Sequence, residues 1–585
     1  MHRFRVWAPR LGRVEVKIAE QVFQLEREQA PAIGWWSATI DAAAEGEVDY
    51  AYLLDGDTTP LPDPRSAWQP HGVHGPSRLL DHRRFPWNDA KWQPSPLSSA
   101  IIYELHIGTF TPGGTFDSAI DRLDALVDLG VTHVELMPVA SFPGGRGWGY
   151  DGVDLFAPQQ AYGGPEALKR LVDACHTKGL AAILDVVYNH LGPVGNYLQR
   201  FGPYFTPLHS TPWGDAVNFE EAGSTEVRRF LCDNALMWLR DYHFDGLRLD
   251  AVHAFIDRSA THFLEQLATE VEQLQAALGR YFVLIAESDL NDPRLVTAQE
   301  AGGYGLDAQW SDDFHHALVA AITGERMGYY KDFGPLADVA AALQHVFVYA
   351  GRYSSSRDRE HGRPVGKLPG WRFVGYAQTH DQVGNRAGGE RLGHLTSAGR
   401  ARIAAALVLT SPFIPLLFQG EEFNASTPFL YFTHHEDEEL GRRITEGRSN
   451  EFGAFGLDGE DLPSPQLEAT FHRSRLDWSE PAREPHASIL AWYKALIHLR
   501  RTTPHLTDGR LHHVEVRFDE DARWLAMDRG PVTVVCNLGV ATLIQDLAAG
   551  AKLLLASEPG VAVAGTRLSL PPDTVAILLT EPQRT

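Results

Sequence analysis

The two ends of the chain share a pattern in which hydrophobic and polar residues alternate in short runs. Within residues 1–95 these runs are FRVWA, VEVKIA, GWWSATI and VDYAYLLDG, separated by Gly, Pro or Asp. A period of two residues is typical of strands with one buried face. The pattern returns in LHHVEVRF, RWLAMDR and PVTVVCNLG near the C-terminus. We therefore predict a β-sandwich domain at 1–95 and a second one at 506–585.

The middle of the chain, residues 96–505, has a different pattern. Short runs that are apolar throughout alternate with helical periodicity, which indicates a parallel sheet covered by helices. Eight such runs predict an α/β fold, a (β/α)8 TIM barrel with enlarged loops after strands 3, 6 and 8. An open doubly wound sheet is the alternative, but HIGTFTPGGTF after the first strand lacks the expected G-x-G-x-x-G spacing. The predicted strands are 101–107, 132–139, 181–187, 246–250, 283–288, 306–310, 372–378 and 414–420.

The charge of the chain narrows the range of partners. Its 585 residues include 52 Lys and Arg against 75 Asp and Glu, a net charge of −23. Such a surface repels phosphate backbones and anionic lipids, so we expect neither nucleic acid nor membrane as a partner. Cys175, Cys232 and Cys536 form no C-x-x-C pair, and MHRFRVWAPRLGR lacks the apolar stretch of a signal peptide. These features predict a cytoplasmic protein.

Charged residues stand at the ends of several predicted barrel strands, where the active sites of TIM barrels form. Each residue alone is explained as well by a strand-end cap or an ion pair, but four carboxylates on one face are typical of glycoside hydrolysis. A two-metal phosphoryl-transfer site is the alternative. Arg248 argues against it, because a guanidinium two residues before Asp250 disfavours a nearby metal cation. The strand-end residues are Asp185, Arg248, Asp250, Glu287, His380 and Asp381.

Two aromatic residues are candidates for stacking on a sugar ring. Tyr150 lies in the segment GWGYDG, and Trp310 ends the predicted sixth strand. Flat aromatic faces suit the C–H surface of a pyranose, whereas most aromatic side chains of a protein pack in its core. We expect the other aromatic residues to be core.

Four segments at the strand ends, DVVYNH, GLRLDAVH, LIAESD and QTHDQ, occur in the order found in the α-amylase superfamily. The chain resembles that superfamily, glycoside hydrolase family 13, over its whole length. The resemblance implies a retaining mechanism with Asp250 as nucleophile, Glu287 as general acid and base, and Asp381 as the carboxylate that stabilises the transition state. The residues that it implies around the sugar beside the cleaved bond are Tyr150, Asp185, His190, Arg248 and His380.

Within the superfamily, the chain is most similar to enzymes that act on maltooligosyltrehalose, in segments such as YELHIGTFTPGGTF, AESDLNDPR and HDQVGNRAGGERL. Those enzymes hydrolyse the α-1,4 bond beside the terminal trehalose, so trehalose and a maltooligosaccharide would be the products. The resemblance also implies a pathway partner, maltooligosyltrehalose synthase, without a stable complex. Branching enzymes and other α-amylase-type hydrolases remain alternatives. A non-catalytic glucan-binding protein is a third, weakened by the three retained carboxylates.

Other polar residues are expected to contact the substrate. Many amylases carry Lys-His three and four residues after the nucleophile, where this chain has His253 and Ala254, and the departure suits a differently shaped leaving group. Residues after the sixth and seventh strands offer donors and acceptors to sugar hydroxyls, although a solvated turn explains them equally well. No carboxylate-rich loop accompanies Asn189, the position through which many amylases bind calcium, so we expect no metal and no cofactor. The candidate binding residues are His253, Asp312, Asp313, His315, His316, Gln382 and Asn385.

Overall fold

The N-terminal strands form two antiparallel sheets in a computed structural model that describes residues 1–41, 47–211, 214–454 and 463–580. The strands are β1 (His2–Trp7), β2 (Val14–Ile18), β3 (Gln21–Gln24), β4 (Glu26–Arg27), β5 (Trp35–Ile40), β6 (Asp49–Leu54) and β7 (Ser77–Arg78). One sheet has the order β1-β5-β4 and the other β3-β2-β6-β7. Alternate residues such as Phe4, Val14 and Tyr52 are buried, as the period of two predicts.

The middle of the chain closes into a parallel barrel. Its strands and those of its loops are β8 (Ile102–Leu105), β9 (His133–Leu136), β10 (Ala140–Ser141), β11 (Asp154–Pro158), β12 (Ala181–Val186), β13 (Phe205–Thr211), β14 (Gly214–Val217), β15 (Gly246–Leu249), β16 (Val283–Ala286), β17 (Ala308–Trp310), β18 (Arg352–Ser354), β19 (Arg359–His361), β20 (Phe373–Tyr376) and β21 (Ile414–Phe418). The closed barrel has the order β8-β9-β12-β15-β16-β17-β20-β21. The predicted eight-stranded α/β barrel is therefore confirmed.

Helices surround the barrel and fill its loops. They are α1 (Ile107–Phe110), α2 (Phe116–Ile120), α3 (Leu123–Leu129), α4 (Gly164–Thr177), α5 (Leu198–Phe201), α6 (Ser224–Asp241), α7 (Phe263–Leu278), α8 (Asp312–Thr323), α9 (Leu336–His345), α10 (His380–Gly384), α11 (Leu392–Leu395), α12 (Ala398–Thr410), α13 (Glu438–Ala454), α14 (Glu468–Arg473), α15 (His486–Thr502) and α16 (Pro504–Thr507). Local sequence fixes several ends: Ser397 caps α12 by accepting from Arg400 N, and Gly130 ends α3 with a left-handed φ of 98°.

Long insertions extend the barrel on the side of the strand carboxyl ends. The hairpin β13–β14 follows β12, while α8, α9 and the hairpin β18–β19 lie between β17 and β20. After β21, α13 and α14 precede α15. These insertions surround the face on which the carboxyl ends of the parallel strands meet.

The C-terminal strands form a five-stranded sheet of order β22-β23-β24-β29-β26 and a three-stranded sheet of order β25-β28-β27. They are β22 (Val514–Asp519), β23 (Trp524–Arg529), β24 (Val532–Asn537), β25 (Leu543–Asp546), β26 (Lys552–Ala556), β27 (Ala562–Ala564), β28 (Arg567–Leu570) and β29 (Thr574–Leu579). Residues from both sheets, including Val535, Leu568 and Leu578, share one apolar core. Among the helices of the described ranges, none is long and apolar enough to cross a membrane.

Candidate active site

The strand-end residues meet on one face of the barrel because all eight strands are parallel. Asp185 on β12 lies opposite Arg248 on β15, and Arg248 lies opposite Ile285 on β16. The chain therefore carries Asp250 and Glu287 out of neighbouring strands at the same level. The side chains of Asp250 and Glu287 are 12% and 16% exposed, and that of Asp381, after β20, is 40% exposed. All three carboxylates thus reach an open cleft.

Asp250 is held by two donors on its two oxygens. Arg248 Nη1 donates to Oδ1 at 2.7 Å. Asn189 Nδ2 donates to Oδ2 at 2.7 Å and to the Asp250 carbonyl at 3.1 Å. Sequence reasoning considered Asn189 only as a calcium position and missed this contact, although its place in DVVYNH was a signal. Charge-assisted hydrogen bonds on both oxygens fix the carboxylate in one orientation.

Glu287 lies beside the same guanidinium in a more apolar position. Its Oε2 is 3.8 Å from Arg248 Nη2 and accepts the backbone N–H of Ala251. Ala251 adopts a left-handed φ of 40°, a strained conformation for a residue with a Cβ, and this turns its N–H toward Glu287. Burial raises the pKa of Glu287 well above its usual value, against the opposing charge of Arg248. A shift in this direction favours the protonated form, which is the form that can act as an acid.

Tyr150, Asp185 and His380 form a hydrogen-bonded row beside Asp250. The hydroxyl of Tyr150 lies 2.6 Å from Asp185 Oδ2 and 2.7 Å from His380 Nε2. Arg248 Nη1 also donates to Asp185 Oδ2, at 2.7 Å. Burial raises the pKa of Asp185 to about 6, although Arg248 opposes the rise. Gly149 has a φ of 101°, and a Cβ there would lie 2.1 Å from the Pro138 carbonyl, so this glycine lets the chain turn Tyr150 into the site.

Asp381 lines the cleft at α10, with Asn385 beside it. Asp381 Oδ1 lies 3.6 Å from His380 Nε2 and accepts from Asn385 Nδ2 at 3.1 Å. Arg448 Nη1 donates to the other end of that amide, Asn385 Oδ1, at 3.1 Å. Gln382 is half-buried one residue beyond Asp381. The structure therefore brings Asn385 to Asp381, whereas Gln382 lines a separate small cavity.

His190 lies next to two residues that sequence reasoning missed. It is buried, its Nδ1 contacts Asn189 Oδ1, and burial lowers its pKa. Asp151 follows Tyr150 in the chain, and its Oδ2 lies 3.8 Å from Nε2 of His435. Both ring nitrogens of His435 are buried without a hydrogen-bond partner among the described residues. No motif marked Asp151 or His435, since they come together only through the loop after β21.

Trp310 is placed differently from the sequence expectation. It is 2% exposed and packs in the barrel interior among Ile285, Tyr376 and Leu416. The Arg248 guanidinium covers its ring at 4.4 Å. Trp310 therefore has no open face for a sugar. Trp310 is the last residue of β17 and points into the barrel, where its ring packs against the Arg248 guanidinium.

The residues after β17 divide into two groups. Asp312 is half-buried, accepts from the Tyr376 hydroxyl, and adds to the charges that raise the pKa of Glu287. Burial raises the pKa of Asp312 itself to about 7. Asp313 instead accepts from Asn291 Nδ2 at 2.9 Å and from Tyr349 N at 2.7 Å, inside the protein.

The two histidines of α8 are buried as well. His315 is 1% exposed and pairs with the Tyr330 hydroxyl at 3.0 Å. The ring of His316 lies parallel to that of Tyr329, with centroids 6.2 Å apart. Like Asp313, His315 contacts the protein interior, because the side of α8 that carries both residues packs against the barrel. His253 is exposed, with Nδ1 4.0 Å from Asp289 Oδ1, near Glu287.

The oxygens of Asp250 face hydrogen-bond donors rather than a space for a metal ion. Asn189 and Arg248 already occupy both oxygens of Asp250. Among the residues that the structure describes, no group of three or more His, Cys, Asp or Glu side chains is arranged to hold a metal ion.

Comparison with known proteins places this geometry in a family. The family model for the catalytic domain of alpha amylase matches residues 77–204, and the model of a domain of unknown function, DUF3459, matches residues 509–577. A crystal structure of a provisionally assigned alpha amylase from Salmonella typhimurium superposes with a TM-score of 0.90 at 37% identity, over 99% of this chain and 97% of that one.

Curated relatives narrow the family further. The chain is 48% identical over 581 residues to the malto-oligosyltrehalose trehalohydrolase of Rhizobium sp. strain M-11, covering 98% of this chain and 97% of the relative. It is 50% identical over 576 residues to that of Arthrobacter ramosus, covering 96% and 99%. A 1,4-alpha-glucan branching enzyme of Vibrio parahaemolyticus is 32% identical over only 55% of this chain and 47% of its own. The chain therefore belongs to the malto-oligosyltrehalose trehalohydrolase family of α-amylase-type proteins.

Proposed function

We propose that this protein hydrolyses the α-1,4 bond beside the terminal trehalose of maltooligosyltrehalose, releasing trehalose and a shortened maltooligosaccharide. One observation carries the chemistry. A single guanidinium, that of Arg248, contacts Asp250 and lies 3.8 Å from Glu287, whose burial keeps its pKa well above the usual value. Asp250, fixed by hydrogen bonds on both oxygens, and Glu287, shifted toward its protonated form, therefore lie side by side as a nucleophile and an acid require.

The first half of the reaction breaks the glycosidic bond. Asp250 attacks the anomeric carbon while Glu287 donates its proton to the glycosidic oxygen, so that trehalose departs as a neutral alcohol. The result is a glycosyl ester on Asp250 of inverted configuration. Asp381, the most exposed of the three carboxylates, faces the positive charge that develops on the sugar ring.

The second half releases the sugar. Glu287, now a carboxylate, takes a proton from water, and the hydroxide attacks the anomeric carbon and displaces Asp250. The second inversion restores the α configuration of the substrate. The row of Tyr150, Asp185 and His380 would bind the sugar beside the cleaved bond, and His253 and Asp312 would face the departing trehalose.

The cellular setting can be inferred from the same assignment. In the substrate a trehalose unit takes the place of the reducing end of a maltooligosaccharide. An enzyme that makes this unit, maltooligosyltrehalose synthase, must therefore act before this one. The acidic net charge of −23 suits a neutral oligosaccharide rather than a polyanion. We place this reaction in the cytoplasm, without a stable complex between the two enzymes.

Product analysis on two substrates tests the proposal. The protein is incubated with maltohexaose and with maltooligosyltrehalose of the same glucose number, and free trehalose and new reducing ends are counted. We expect trehalose and reducing ends in equal amounts from the second substrate and little product from the first. Short maltodextrins from maltohexaose at an equal rate would instead indicate an ordinary amylase. New α-1,6 bonds in amylose without new reducing ends would indicate a branching enzyme.

A further inference from the structure

His380 has hydrogen-bonding partners on both of its ring nitrogens. Nδ1 contacts Oε1 of Glu104, a residue on β8 that is 1% exposed. The backbone N–H of His380 donates to the other oxygen of Glu104, at 3.0 Å. On the opposite side of the ring, Nε2 lies 2.7 Å from the Tyr150 hydroxyl. Glu104, on the first barrel strand, therefore holds the ring of His380 on the side opposite Tyr150.

The direction of these hydrogen bonds sets the protonation of the ring. A tyrosine hydroxyl has one proton, and Asp185 Oδ2 accepts it at 2.6 Å. The Tyr150 oxygen can then only accept from His380 Nε2, which must carry a hydrogen. Nδ1 faces a carboxylate oxygen and must carry one as well. Both nitrogens are donors, which is the imidazolium form.

We propose that Glu104 is a positioning residue that holds His380 in the doubly protonated form, so that His380 donates to Tyr150 and faces Asp381 as a cation. The ring then donates on both sides, through Nδ1 to Glu104 and through Nε2 to Tyr150, and Tyr150 in turn donates to Asp185. This inference rests on the proposed function for its assay, while its argument comes from the contacts alone.

The charges around His380 support the assignment. Burial lowers its pKa, but Glu104 and then Asp381 outweigh burial and raise the pKa to about 9. Arg248 opposes the rise. The charged and titratable groups that face the ring from neighbouring elements are Glu104, His106, Glu135, Tyr150, Asp185, Arg248 and Asp381.

A second glutamate offers a matched control. Glu135 pairs with Glu104 in the register of β8 and β9, and it is fully buried. Neither of its carboxyl oxygens has a hydrogen-bond partner among the described residues. Burial, followed by the charge of Glu104, raises the pKa of Glu135 well above its usual value. Glu135→Gln keeps the size of the side chain and leaves the contacts between Glu104 and His380 in place.

The test is the pH profile of kcat/KM for Glu104→Gln. In the variant the strongest remaining effect on His380 is burial, which favours the neutral ring. We expect the alkaline limb to move down by about one pH unit or more, with about tenfold lower kcat/KM at pH 8 and about wild-type values at pH 5.5. Glu135→Gln should leave the limb in place.

A double-mutant cycle shows whether Glu104 acts through His380. In a His380→Gln background, adding Glu104→Gln should change kcat/KM by less than about twofold. A loss that is uniform across pH, or an equal shift in Glu135→Gln, would overturn the proposal. If Glu104→Gln does not fold, Glu104→Asp keeps the charge and should retain the alkaline limb at lower kcat, and a limb shifted down in that variant would also overturn it. The profile is measured on whichever α-glucan the wild type cleaves, so failure of trehalose release remains a separate result.

Discussion

Both ends of the barrel hold a buried cluster of carboxylates, histidine and arginine, yet the two clusters have opposite electrostatics. At the amino ends of the strands, His176 lies between Asp89 and Asp245, 2.8 Å and 3.0 Å away. Arg280 Nη2 and Trp92 Nε1 also donate to Asp245, at 2.9 Å and 2.8 Å. Burial opposes ionisation there, but His176 and His243 hold the pKa of Asp89 below the usual range, and His176 and Arg280 do the same for Asp245.

At the carboxyl ends of the strands burial outweighs the charged partners of three carboxyl groups. Burial raises the pKa of Glu287 well above its usual value, that of Asp185 to about 6 and that of Asp312 to about 7. Oδ1 of Asp185 is buried without a hydrogen-bond partner among the described residues. The comparison shows that the balance between burial and the charged partners of a carboxylate, rather than burial alone, decides in which direction its pKa moves.

The largest expected effect comes from Asp250, the proposed nucleophile. Asp250→Asn keeps the shape of the side chain and its contact with Arg248 but removes the attacking charge. We expect kcat on maltooligosyltrehalose to fall by about 10⁴-fold or more, since no bond to the anomeric carbon can form. The circular dichroism spectrum should match that of the wild type, which separates this variant from a folding defect. Turnover within tenfold of wild type would contradict the assignment.

Asp245→Asn, at the opposite end of the barrel, should lower stability and leave kcat nearly unchanged. It leaves His176 and Arg280 buried with one charge partner fewer, which we expect to cost about 3 kcal/mol of stability. The cluster lies far from the substrate, so kcat should stay within about twofold. Thermal unfolding and kinetics of the same preparation check both parts. A large loss of kcat with unchanged stability would break the distinction between the two clusters.

The contribution of His176 to the stability of the fold should decrease as pH rises. Burial lowers the pKa of His176, but Asp245 and Asp89 outweigh it and raise the pKa above the usual value. A raised pKa stabilises the fold fully below the unfolded value of about 6.5, and the contribution is lost as pH rises through the folded pKa. The difference in unfolding midpoint between wild type and His176→Asn should therefore be larger at pH 6 than at pH 9. The reverse order would contradict a charged His176.

The smallest expected effect is at Asp312. Its negative charge is one of those that raise the pKa of Glu287. Asp312→Asn removes that charge, so the pKa of Glu287 should fall and the alkaline limb of kcat/KM should move to lower pH by about half a unit. A full pH profile is the measurement, with Asp313→Asn as the control whose carboxylate bonds to Asn291 and Tyr349. A limb that moves to higher pH would reverse the sign of the argument.

Strand period and strand ends are the features that the sequence predicted well. Eight continuous apolar runs predicted the barrel, and charged residues at the ends of several runs predicted the face on which Asp250 and Glu287 lie together. The prediction failed for Trp310, because a run that is apolar throughout does not show which side chains point into the barrel. It also missed the anchor at the other end, since Asp89, His176 and Asp245 come from a linker, a helix end and a loop with no shared motif.

Trapping the covalent intermediate tests the central claim most directly. In Glu287→Gln, an activated α-maltosyl fluoride needs no acid to lose fluoride, so the first step proceeds while the second lacks its base. We predict that the glycosyl group accumulates on the enzyme and that peptide mass analysis finds it on Asp250. A glycosyl group on Asp185, Asp312 or Asp381 would contradict the account. So would the absence of any adduct together with a product of inverted configuration from the wild type.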